Sequence, residues 1–337
     1  MIEIKENYSL KKYNTFGFDV KSAYFSNFST LEDLKELLLI QKNKKLPLIV
    51  LGGGSNILFT GDFNGLVIQP TIKGIEIISE SNEYVDLRVG AGEDWDEFVG
   101  HCVNNSWSGV ENLSLIPGFV GTCPIQNIGA YGVEVKDTII KVETIETETL
   151  KEHLFLNAEC NFGYRDSIFK RELKGKHIIT HVHFRLKKNA EFILNYGNLN
   201  DELQKYGSVD LKNIRQAVID IRNSKLPKPE EIGNAGSFFK NPEVEMAVYE
   251  KIKQNYPMIP CYPQGKNRVK VPAGWLIEQA GWKGKNIGNA GVHCKQALVL
   301  VNVGNATGNE VLHLAKEIQK SVNQKFGIQL EMEVNIV

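Results

Sequence analysis

Hydrophobic spacing along the first half of the chain predicts alternating strands and helices. Thr30-Leu31-Glu32-Asp33 is typical of a helix capping box, and the leucines up to Leu38 then form one apolar helix face. Short apolar runs or strict alternation predict strands at residues 48–51, 85–89 and 178–186. Between the second and third of these, Trp95, Phe98, Val99, Cys102 and Val103 repeat at helical spacing, which predicts a helix near residues 93–105.

The second half of the chain changes character at a Pro-rich, charged stretch over residues 224–236. Proline cannot continue the preceding helical pattern, so this stretch predicts a domain boundary. Helices are predicted at residues 243–255, 272–280 and 308–326, the last beginning at the capping box Thr307-x-x-Glu310 and ending at Gly327. Residues 328–336 alternate strictly between apolar and polar positions and predict a closing strand.

Composition narrows the class of protein. The chain has 337 residues, 42% of them hydrophobic, with 39 basic against 40 acidic side chains. Two or three folded domains follow from this length, while the hydrophobic content excludes intrinsic disorder. The balanced charge argues against a dedicated nucleic-acid binder, and no apolar run is long enough for a membrane helix. We also find no secretory signal, so we expect a cytoplasmic protein.

Cysteine and histidine residues offer little evidence for a metal site. The five cysteines are widely spaced and lack a C-x-x-C pair, so we expect most to be reduced and buried, with neither a disulfide framework nor a zinc site. His181 and His183 share one strand face, the spacing of a metal-ligand pair, but no suitable third ligand accompanies them. We therefore expect a solvated strand face there and no metal.

Three Gly-rich segments stand out. Gly52–Asn56 follows a strand directly, and its backbone N–H groups could converge on a phosphate, or the segment could be a tight structural turn. A positive φ is expected at Gly53. Pro117–Gly132 is too long and too poor in charge for an ordinary loop, which favours backbone lying close to a ligand. Gly233–Pro242 contains Ser237, but it lacks the partners of a hydrolase nucleophile and could be a surface turn.

In this order, the three segments resemble the UDP-N-acetylenolpyruvoylglucosamine reductase family of flavoenzymes, in its longer type with a tyrosine loop. Further agreement covers essentially the whole chain, at Tyr13–Gly17, Asn161–Ser167, Leu194–Leu199, Ala273–Glu278 and Leu330–Val334. The resemblance implies an α+β fold: a two-subdomain FAD-binding fold of the p-cresol methylhydroxylase type plus a C-terminal α+β substrate domain. The implied boundaries are residues 1–70 with the returning strand 329–337, then 71–224, then 225–328.

The resemblance also implies a cofactor, a co-substrate and their contacts. FAD would be bound non-covalently, NADPH would supply the hydride, and UDP-N-acetylglucosamine enolpyruvate would be the substrate of a monomer that binds neither nucleic acid nor membrane. The implied FAD-binding residues are Gly52, Gly53, Gly54, Ser55, Asn56, Pro117, Gly118, Gly121, Thr122, Cys123, Ile125, Gly129, Ala130, Tyr131 and Gly132. The implied substrate-binding residues are Tyr196, Lys225, Asn241 and Tyr262. Cys123 stands where we expect serine in relatives, which removes a hydroxyl from that position.

Three catalytic residues follow from the same resemblance. Ser237 would donate a proton to the substrate carbon, while Arg165 and Glu333 would orient and polarise the carboxylate. From the residues alone, Arg165 could be a solvated side chain, and Glu333 could face either solvent or a cleft. Serine is a weak acid, so Ser237 would need nearby cations or a proton relay.

Two other functions remain open at this point. An FAD-dependent oxidase of the same general fold would use oxygen, although Gly52–Asn56 contains no His or Cys for covalent flavin attachment. A non-catalytic nucleotide-sugar sensor would be expected to lose Ser237, Arg165 or Glu333, and the chain retains all three.

Overall fold

The computed structural model describes residues 2–265 and 267–337, which form two compact units. The first unit comprises the N-terminal residues through Tyr8, Ser22–Gly53 and Asn64–Ser224. The second comprises Ser9–Lys21, Gly54–Phe63 and Lys225–Val337. Neither unit is a continuous stretch of chain, so the boundaries at residues 70, 224 and 328 stay a prediction.

Helices and strands are interspersed along the described residues. The α-helices are α1 (Leu31–Lys44), α2 (Trp95–Asn104), α3 (Leu199–Leu203), α4 (Leu211–Lys225), α5 (Met246–Asn255), α6 (Ala273–Gln279) and α7 (Gly308–Phe326). The strands are β1 (Lys5–Ser9), β2 (Lys21–Phe28), β3 (Leu48–Val50), β4 (Ile57–Leu58), β5 (Phe63–Pro70), β6 (Ile75–Glu80), β7 (Tyr84–Gly90), β8 (Gly129–Ala130), β9 (Val133–Glu134), β10 (Ile139–Glu146), β11 (Glu152–Leu156), β12 (His177–Lys187), β13 (Asn234–Ser237), β14 (Glu243–Glu245), β15 (Tyr262–Gln264), β16 (Arg268–Lys270), β17 (Asn286–Ile287), β18 (Ala290–Val292), β19 (Val299–Asn302) and β20 (Asn335–Ile336).

The first unit contains a four-stranded sheet in the order β1-β2-β5-β3, with β3 parallel to β5. Helix α1 covers it with Leu34, Leu37 and Leu38, which are buried in one cluster with strand residues. The predicted capping box is confirmed, since the Thr30 hydroxyl accepts from the Asp33 N–H and the Asp33 carboxylate from the Thr30 N–H. This helix therefore begins where its local sequence dictates.

A five-stranded antiparallel sheet in the order β11-β10-β12-β7-β6 forms the larger part of the first unit. Its apolar face packs against α2, whose predicted side chains are all buried. The Asp94 carboxylate caps α2 by accepting from the N–H groups of Asp96 and Glu97. Val182, Phe184 and Leu186 lie on the helix-facing side of β12, as predicted.

Helices α3 and α4 complete the first unit through a smaller apolar cluster. Its buried members include Leu199, Ile214, Val218 and Ile221, and the partly buried Tyr131, Phe192 and Leu194 pack against it. Residues 188–198, which connect β12 to α3, have no regular secondary structure. We call them the tyrosine loop, because they carry Tyr196.

The second unit combines a sheet in the order β13-β19-β18-β17 with a smaller sheet in the order β14-β16-β15. Its core includes α6, α7 and the N-terminal residues Phe16 and Phe18. The capping box at Thr307 and the left-handed C-cap at Gly327 of α7 are both confirmed. Helix α5 begins at Met246, three residues later than predicted, because Glu243–Glu245 pairs as β14.

The closing strand is shorter than the alternation predicted. Regular pairing in the described residues 328–337 is limited to Asn335–Ile336, which runs parallel to Ile57–Leu58, and to an isolated bridge from Met332 to Phe239. Ile328, Leu330 and Val334 are nevertheless buried, so the alternation identified the apolar face but overestimated the ladder. None of the described helices is both long and apolar enough to cross a membrane.

Candidate active site

The first half of the Gly52–Asn56 segment lies against the Pro117–Gly132 segment in the first unit. A methyl group at Gly53 would lie 2.9 Å from Gly118 Cα, and one at Gly52 would lie 2.5 Å from the Thr122 methyl carbon. Only glycine allows so close an approach. Among the described residues, the N–H groups of Gly52 and Gly53 have no recorded acceptor.

Gly54 begins the part of this segment that belongs to the second unit. Its φ is +66°, and a methyl group there would collide with the Tyr13 carbonyl. The prediction of a positive φ at Gly53 is therefore wrong: the left-handed conformation belongs to the next residue, and close packing explains Gly53. The Thr15 N–H donates to the Gly54 carbonyl at 3.1 Å, whereas the Gly54 N–H also has no recorded acceptor among the described residues.

These glycine N–H groups provide a test of fit for a diphosphate. Backbone donors that lack a protein acceptor are costly when buried, and Gly52 and Gly54 are both buried. Successive outward N–H groups are the usual donors to phosphate oxygens. The segment therefore fits the diphosphate of a dinucleotide better than it fits a purely structural turn.

The Pro117–Gly132 segment is held by backbone bonds and by one buried amide. The Gly121 N–H donates to the Ala91 carbonyl at 3.0 Å. The Asn127 side chain, which is fully buried, donates to the Gly163 carbonyl at 2.9 Å and to the Glu134 carboxylate at 3.0 Å. The segment is thus tied to the Asn161–Ser167 motif, which also resembles the flavoenzyme family.

Cys123 is part of the apolar core next to α2. It is buried, and burial raises the pKa of its thiol well above the usual value. A neutral thiol in an apolar cluster acts as a small hydrophobic side chain. Of the other cysteines, Cys102 and Cys160 are buried, and none of the five forms a disulfide, as predicted.

Arg165 reaches back to the same Gly-rich segment. Its backbone has a φ of +53°, unusual for a residue other than glycine, and its Nη2 donates to the Gly129 carbonyl at 2.6 Å. The Lys170 ammonium donates to the Arg165 carbonyl at 3.2 Å. The interpretation of Arg165 as a solvated side chain is therefore wrong, because both its backbone and its guanidinium are fixed.

Arg222 is a residue that the sequence analysis missed. Its Nε is buried without a hydrogen-bond partner among the described residues, and burial lowers the pKa of its guanidinium. The negative charge of Asp96 opposes this shift, whereas the like charge of Arg165 adds to it. The unpartnered Nε is thus a buried donor that suits an anion.

Helix α4 holds Arg222 in place through a second arginine two turns earlier. Arg215 makes a bidentate pair with Asp96 of α2 at 2.6 and 2.8 Å, and the Leu115 N–H donates to the same carboxylate at 2.5 Å. Burial raises the pKa of Asp96, but the bonds from Arg215 and Leu115 outweigh it and lower the pKa overall. The Asp96–Arg215 pair therefore fixes one face of α4 against α2.

Ser237 and Glu333 approach each other in the second unit. The Glu333 N–H donates to the carbonyl of Phe238, the neighbour of Ser237, at 2.8 Å, and Met332 forms a bridge with Phe239. Ser237 is exposed, whereas Glu333 is half-buried, so Glu333 is not a fully solvated side chain. Asn56 is part of the same neighbourhood, because its carbonyl accepts from the Asn335 N–H at 3.1 Å.

The four implied substrate-binding residues are distributed over several elements. Tyr196 is 41% exposed on the tyrosine loop, and Lys225 is the last residue of α4. Asn241 accepts from the Ala273 N–H at 2.9 Å and so caps α6. Tyr262 is 41% exposed, and its backbone pairs with Lys270 in the small sheet. Lys270 also pairs with Glu243, which lies two residues after Asn241, so the sheet connects Tyr262 to the part of the chain just after Asn241.

His181 and His183 lie on a buried polar face, which corrects the expectation of a solvated face. They belong to what we call the Glu143 cluster, which comprises Arg88, Glu143, His181 and His183. Glu143 accepts from Arg88 Nε at 2.9 Å and Nη2 at 2.8 Å, and its oxygens lie 3.1 Å from His181 Nδ1 and 2.6 Å from His183 Nε2. No group of side chains among the described residues could hold a metal ion.

Comparisons with known proteins relate the chain to one enzyme family. A family model described as UDP-N-acetylenolpyruvoylglucosamine reductase, C-terminal domain, matches residues 228–337, and an FAD binding domain model matches residues 23–149. UDP-N-acetylenolpyruvoylglucosamine reductase of Flavobacterium johnsoniae is 51% identical over 339 residues, covering 100% of both chains. The Bacteroides fragilis enzyme of the same name is 48% identical over 334 residues, covering 99% of this chain and 100% of the relative.

A solved structure confirms the predicted fold class. The crystal structure of UDP-N-acetylenolpyruvylglucosamine reductase from Thermus caldophilus aligns with a TM-score of 0.69 and 24% identity, covering 100% of this chain and 98% of that one. At this identity the likeness shows the fold alone, an FAD-binding fold followed by a C-terminal α+β domain. The full-length relatives show more, and the chain belongs to the UDP-N-acetylenolpyruvoylglucosamine reductase family.

Proposed function

We propose that the protein is an FAD-dependent oxidoreductase that reduces UDP-N-acetylglucosamine enolpyruvate to UDP-N-acetylmuramate with NADPH. This reaction belongs to peptidoglycan precursor synthesis and so supports cell-wall growth, cell shape and division. The main support for the proposal is the full-length identity of 51% to the UDP-N-acetylenolpyruvoylglucosamine reductase of Flavobacterium johnsoniae. NADPH and UDP-sugars are intracellular metabolites, so we place the enzyme in the cytoplasm, and a monomer remains our prediction.

The Gly-rich segments supply the proposed cofactor site. The N–H groups of Gly52, Gly53 and Gly54 would hold the diphosphate of FAD, together with Ser55 and Asn56. The Pro117–Gly132 segment would lie along the remainder of the cofactor, in contact through backbone where Cys123 offers no hydroxyl. When bound, FAD would supply the two-electron hydride chemistry between NADPH and the alkene, and the protein supplies placement and electrostatics.

Cationic side chains would stabilise the substrate's negative charge. Addition of hydride to the terminal alkene carbon leaves enolate character beside the carboxylate, so that group needs cations or hydrogen-bond donors. Arg165 is supported in this role because its guanidinium is already oriented by the Gly129 carbonyl. The buried Arg222 would add a second positive charge on the same side, for the carboxylate or for the diphosphate.

Ser237 would donate the proton that completes the reduction. Its backbone lies next to the hydrogen bond between Phe238 and Glu333, so Glu333 lies beside the end of the strand that contains Ser237. Glu333 would orient the substrate carboxylate and assist the proton relay that a weak acid such as serine requires. Tyr196, Lys225, Asn241 and Tyr262 would contact the diphosphate and uridine end of the substrate.

Separate measurement of the two half-reactions tests this division of roles. Ser237→Ala should retain FAD and be reduced by NADPH at the wild-type rate, because reduction of the flavin needs no proton from this hydroxyl. Re-oxidation by the enolpyruvyl substrate should slow by at least about 10²-fold, the low end for loss of a positioned general acid. Anaerobic stopped-flow absorbance follows both steps.

Three outcomes would contradict the proposal or its parts. Equal slowing of both half-reactions would make Ser237 a binding residue rather than the proton donor. Wild-type enzyme that is re-oxidised rapidly by air but not by the enolpyruvyl sugar would be an oxidase. Protein that binds the sugar but is not bleached by NADPH would be a sensor.

A further inference from the structure

The buried side chain of Asn112 connects two segments that the proposed function assigns to different ligands. Asn112 lies in a single 3₁₀ turn, Glu111–Leu113, and is 1% exposed. Its amide nitrogen donates to the Tyr131 carbonyl at 2.9 Å and to the Ile193 carbonyl at 2.8 Å. One side chain therefore binds both the end of the Gly-rich segment and the base of the tyrosine loop.

The Tyr131 side of this contact is a strained turn. Tyr131 has a φ of +47° and Gly132 a φ of +83°, so the chain reverses through two left-handed residues. Such a conformation persists in a non-glycine residue only where its surroundings hold it. The Asn112 bond to the Tyr131 carbonyl, together with packing of the Tyr131 ring against the α3–α4 cluster, provides that support.

The tyrosine loop rests directly on the same turn. A methyl group at Gly132 would lie 3.1 Å from the Ile193 side chain and 3.3 Å from Tyr196 Cβ. Phe192 and Leu194 pack against the α3–α4 cluster on either side of the Ile193 carbonyl that Asn112 binds. The contact with Gly132 and the Asn112 bond three residues earlier thus both hold the loop at Tyr196.

We infer that Asn112 is a positioning residue, which sets the affinity for the nucleotide-sugar by fixing the tyrosine loop against the Tyr131–Gly132 turn. The inference rests on the proposed function, in which Tyr196 contacts the diphosphate and uridine end of the substrate. Asn112 acts through Tyr196 and does not touch the reacting atoms. Its loss therefore weakens substrate binding without slowing the chemical step.

Asn112→Ala tests this inference. Removal of two hydrogen bonds to backbone carbonyls should raise KM for UDP-N-acetylglucosamine enolpyruvate about 10- to 30-fold, with kcat within about twofold of wild type. Calorimetric titration of the oxidised enzyme with the same sugar should show an equal rise in Kd. The limiting rate at which NADPH reduces the FAD-loaded enzyme should not change.

A double-mutant cycle shows whether the effect passes through the tyrosine. In the Tyr196→Ala background, Asn112→Ala should raise KM less than threefold further, because the side chain that it positions is gone. Additive effects of the two changes would overturn the inference. So would an unchanged KM in Asn112→Ala, provided that wild-type enzyme turns over the sugar. Wild type that fails to do so would overturn the proposed function instead.

Asn157→Ala is a matched control in the same unit. The Asn157 amide also bridges two backbone carbonyls, those of Lys136 and Ile139, both at 2.8 Å, but on segments that the proposed site does not use. This variant should lose stability with KM unchanged, and a KM shift equal to that of Asn112→Ala would overturn the inference.

If Asn112→Ala folds poorly, Asn112→Ser keeps one short donor, and a KM rise of about three- to tenfold is then expected.

Discussion

Two polar clusters of the first unit differ in how completely their charges are paired. In the Glu143 cluster, the carboxylate is contacted by Arg88 and by both histidines at 3.1 Å or less. Arg222, by contrast, has a buried Nε with no partner among the described residues, and the like charge of Arg165 adds to the lowering of its pKa by burial. Within the described part of the chain, the acid and Arg88 of the Glu143 cluster pair directly, and the unpartnered buried atom there is His183 Nδ1, whereas at Arg222 the unpartnered buried atom belongs to a cationic guanidinium.

This difference separates a structural role from a binding role. A charge that is paired within the protein has little to offer a ligand, whereas a buried charge without a full set of partners costs stability and is available to an anion. From sequence, the paired histidines resembled a metal site more than Arg222 resembled any site. The structure shows which side chains have partners, and these partners make Arg222 the better candidate for a ligand-binding residue and the histidines the worse one.

The largest expected effect is loss of stability on removal of the Glu143 carboxylate. Glu143→Ala removes the carboxylate that contacts Arg88 and two buried histidines, so the free energy of unfolding should fall by about 3 kcal/mol. KM for the enolpyruvyl sugar and FAD content should remain at wild-type values. Urea denaturation and steady-state kinetics measure both, and a large rise in KM would show that this cluster is not purely structural.

Glu148→Ala is the matched control for that loss. Its side chain is 82% exposed and forms one ion pair, with Lys42 at 3.1 Å. Exposed pairs contribute little, so its free energy of unfolding should change by less than about 0.5 kcal/mol.

The two arginines of α4 provide a sharper comparison on a single helix. Arg215→Met breaks the pair with Asp96 and should lower the free energy of unfolding by about 2 kcal/mol. Arg222→Met removes a buried charge that lacks a full set of partners, so stability should stay equal or rise by about 1 kcal/mol, while re-oxidation by the enolpyruvyl sugar slows at least tenfold. Thermal unfolding and stopped-flow absorbance report the two effects. Equal destabilisation by both changes would remove the distinction between the clusters.

The smallest effect is a dependence of the Glu143 contribution on pH. Burial raises the pKa of Glu143, but hydrogen bonds from Arg88, His181 and His183 outweigh it, so the folded-state pKa is lowered well below the usual value. Its stabilisation is therefore present above the unfolded pKa of about 4.3 and is lost as pH falls toward the folded pKa. The stability difference between wild type and Glu143→Ala should narrow as the pH falls below about 4. Urea midpoints between pH 7 and pH 3 measure it, and a difference that stays constant would contradict the assignment.

Local signals predicted the helices well because their determinants are close in sequence. The capping boxes at Thr30 and Thr307 each involve residues three apart, and the buried face of α2 follows directly from its spacing. The closing strand was overestimated because alternation reports burial but not a hydrogen-bonded partner. That partner, Ile57–Leu58, lies far away in the chain.

Glycine spacing and motif order carried the prediction of the site. Gly52 and Gly53 lie against the Pro117–Gly132 segment, although the positive φ was assigned to Gly53 instead of Gly54. Arg222 was missed because its environment depends on Asp96, which fixes α4 through Arg215 from 119 residues away. One signal was present: Arg222 follows Val218 by four residues, within the apolar stripe of α4, where a cation is unusual.

The early segment around Thr15 has a consequence for the order in which the chain can fold. Thr15 bonds to the Asn234 carbonyl across 219 residues, and Phe16 accepts from Asn302 across 286. At synthesis rates of about 5–20 residues per second, Thr15 waits on the order of 10 to 40 s on the ribosome before its partner is made. The long stretch Asn64–Ser224 can meanwhile begin to fold. The apolar Phe16–Phe18 segment stays exposed during every round of translation until the rest of the second unit has been synthesised. We therefore expect chaperone dependence to concentrate on this segment.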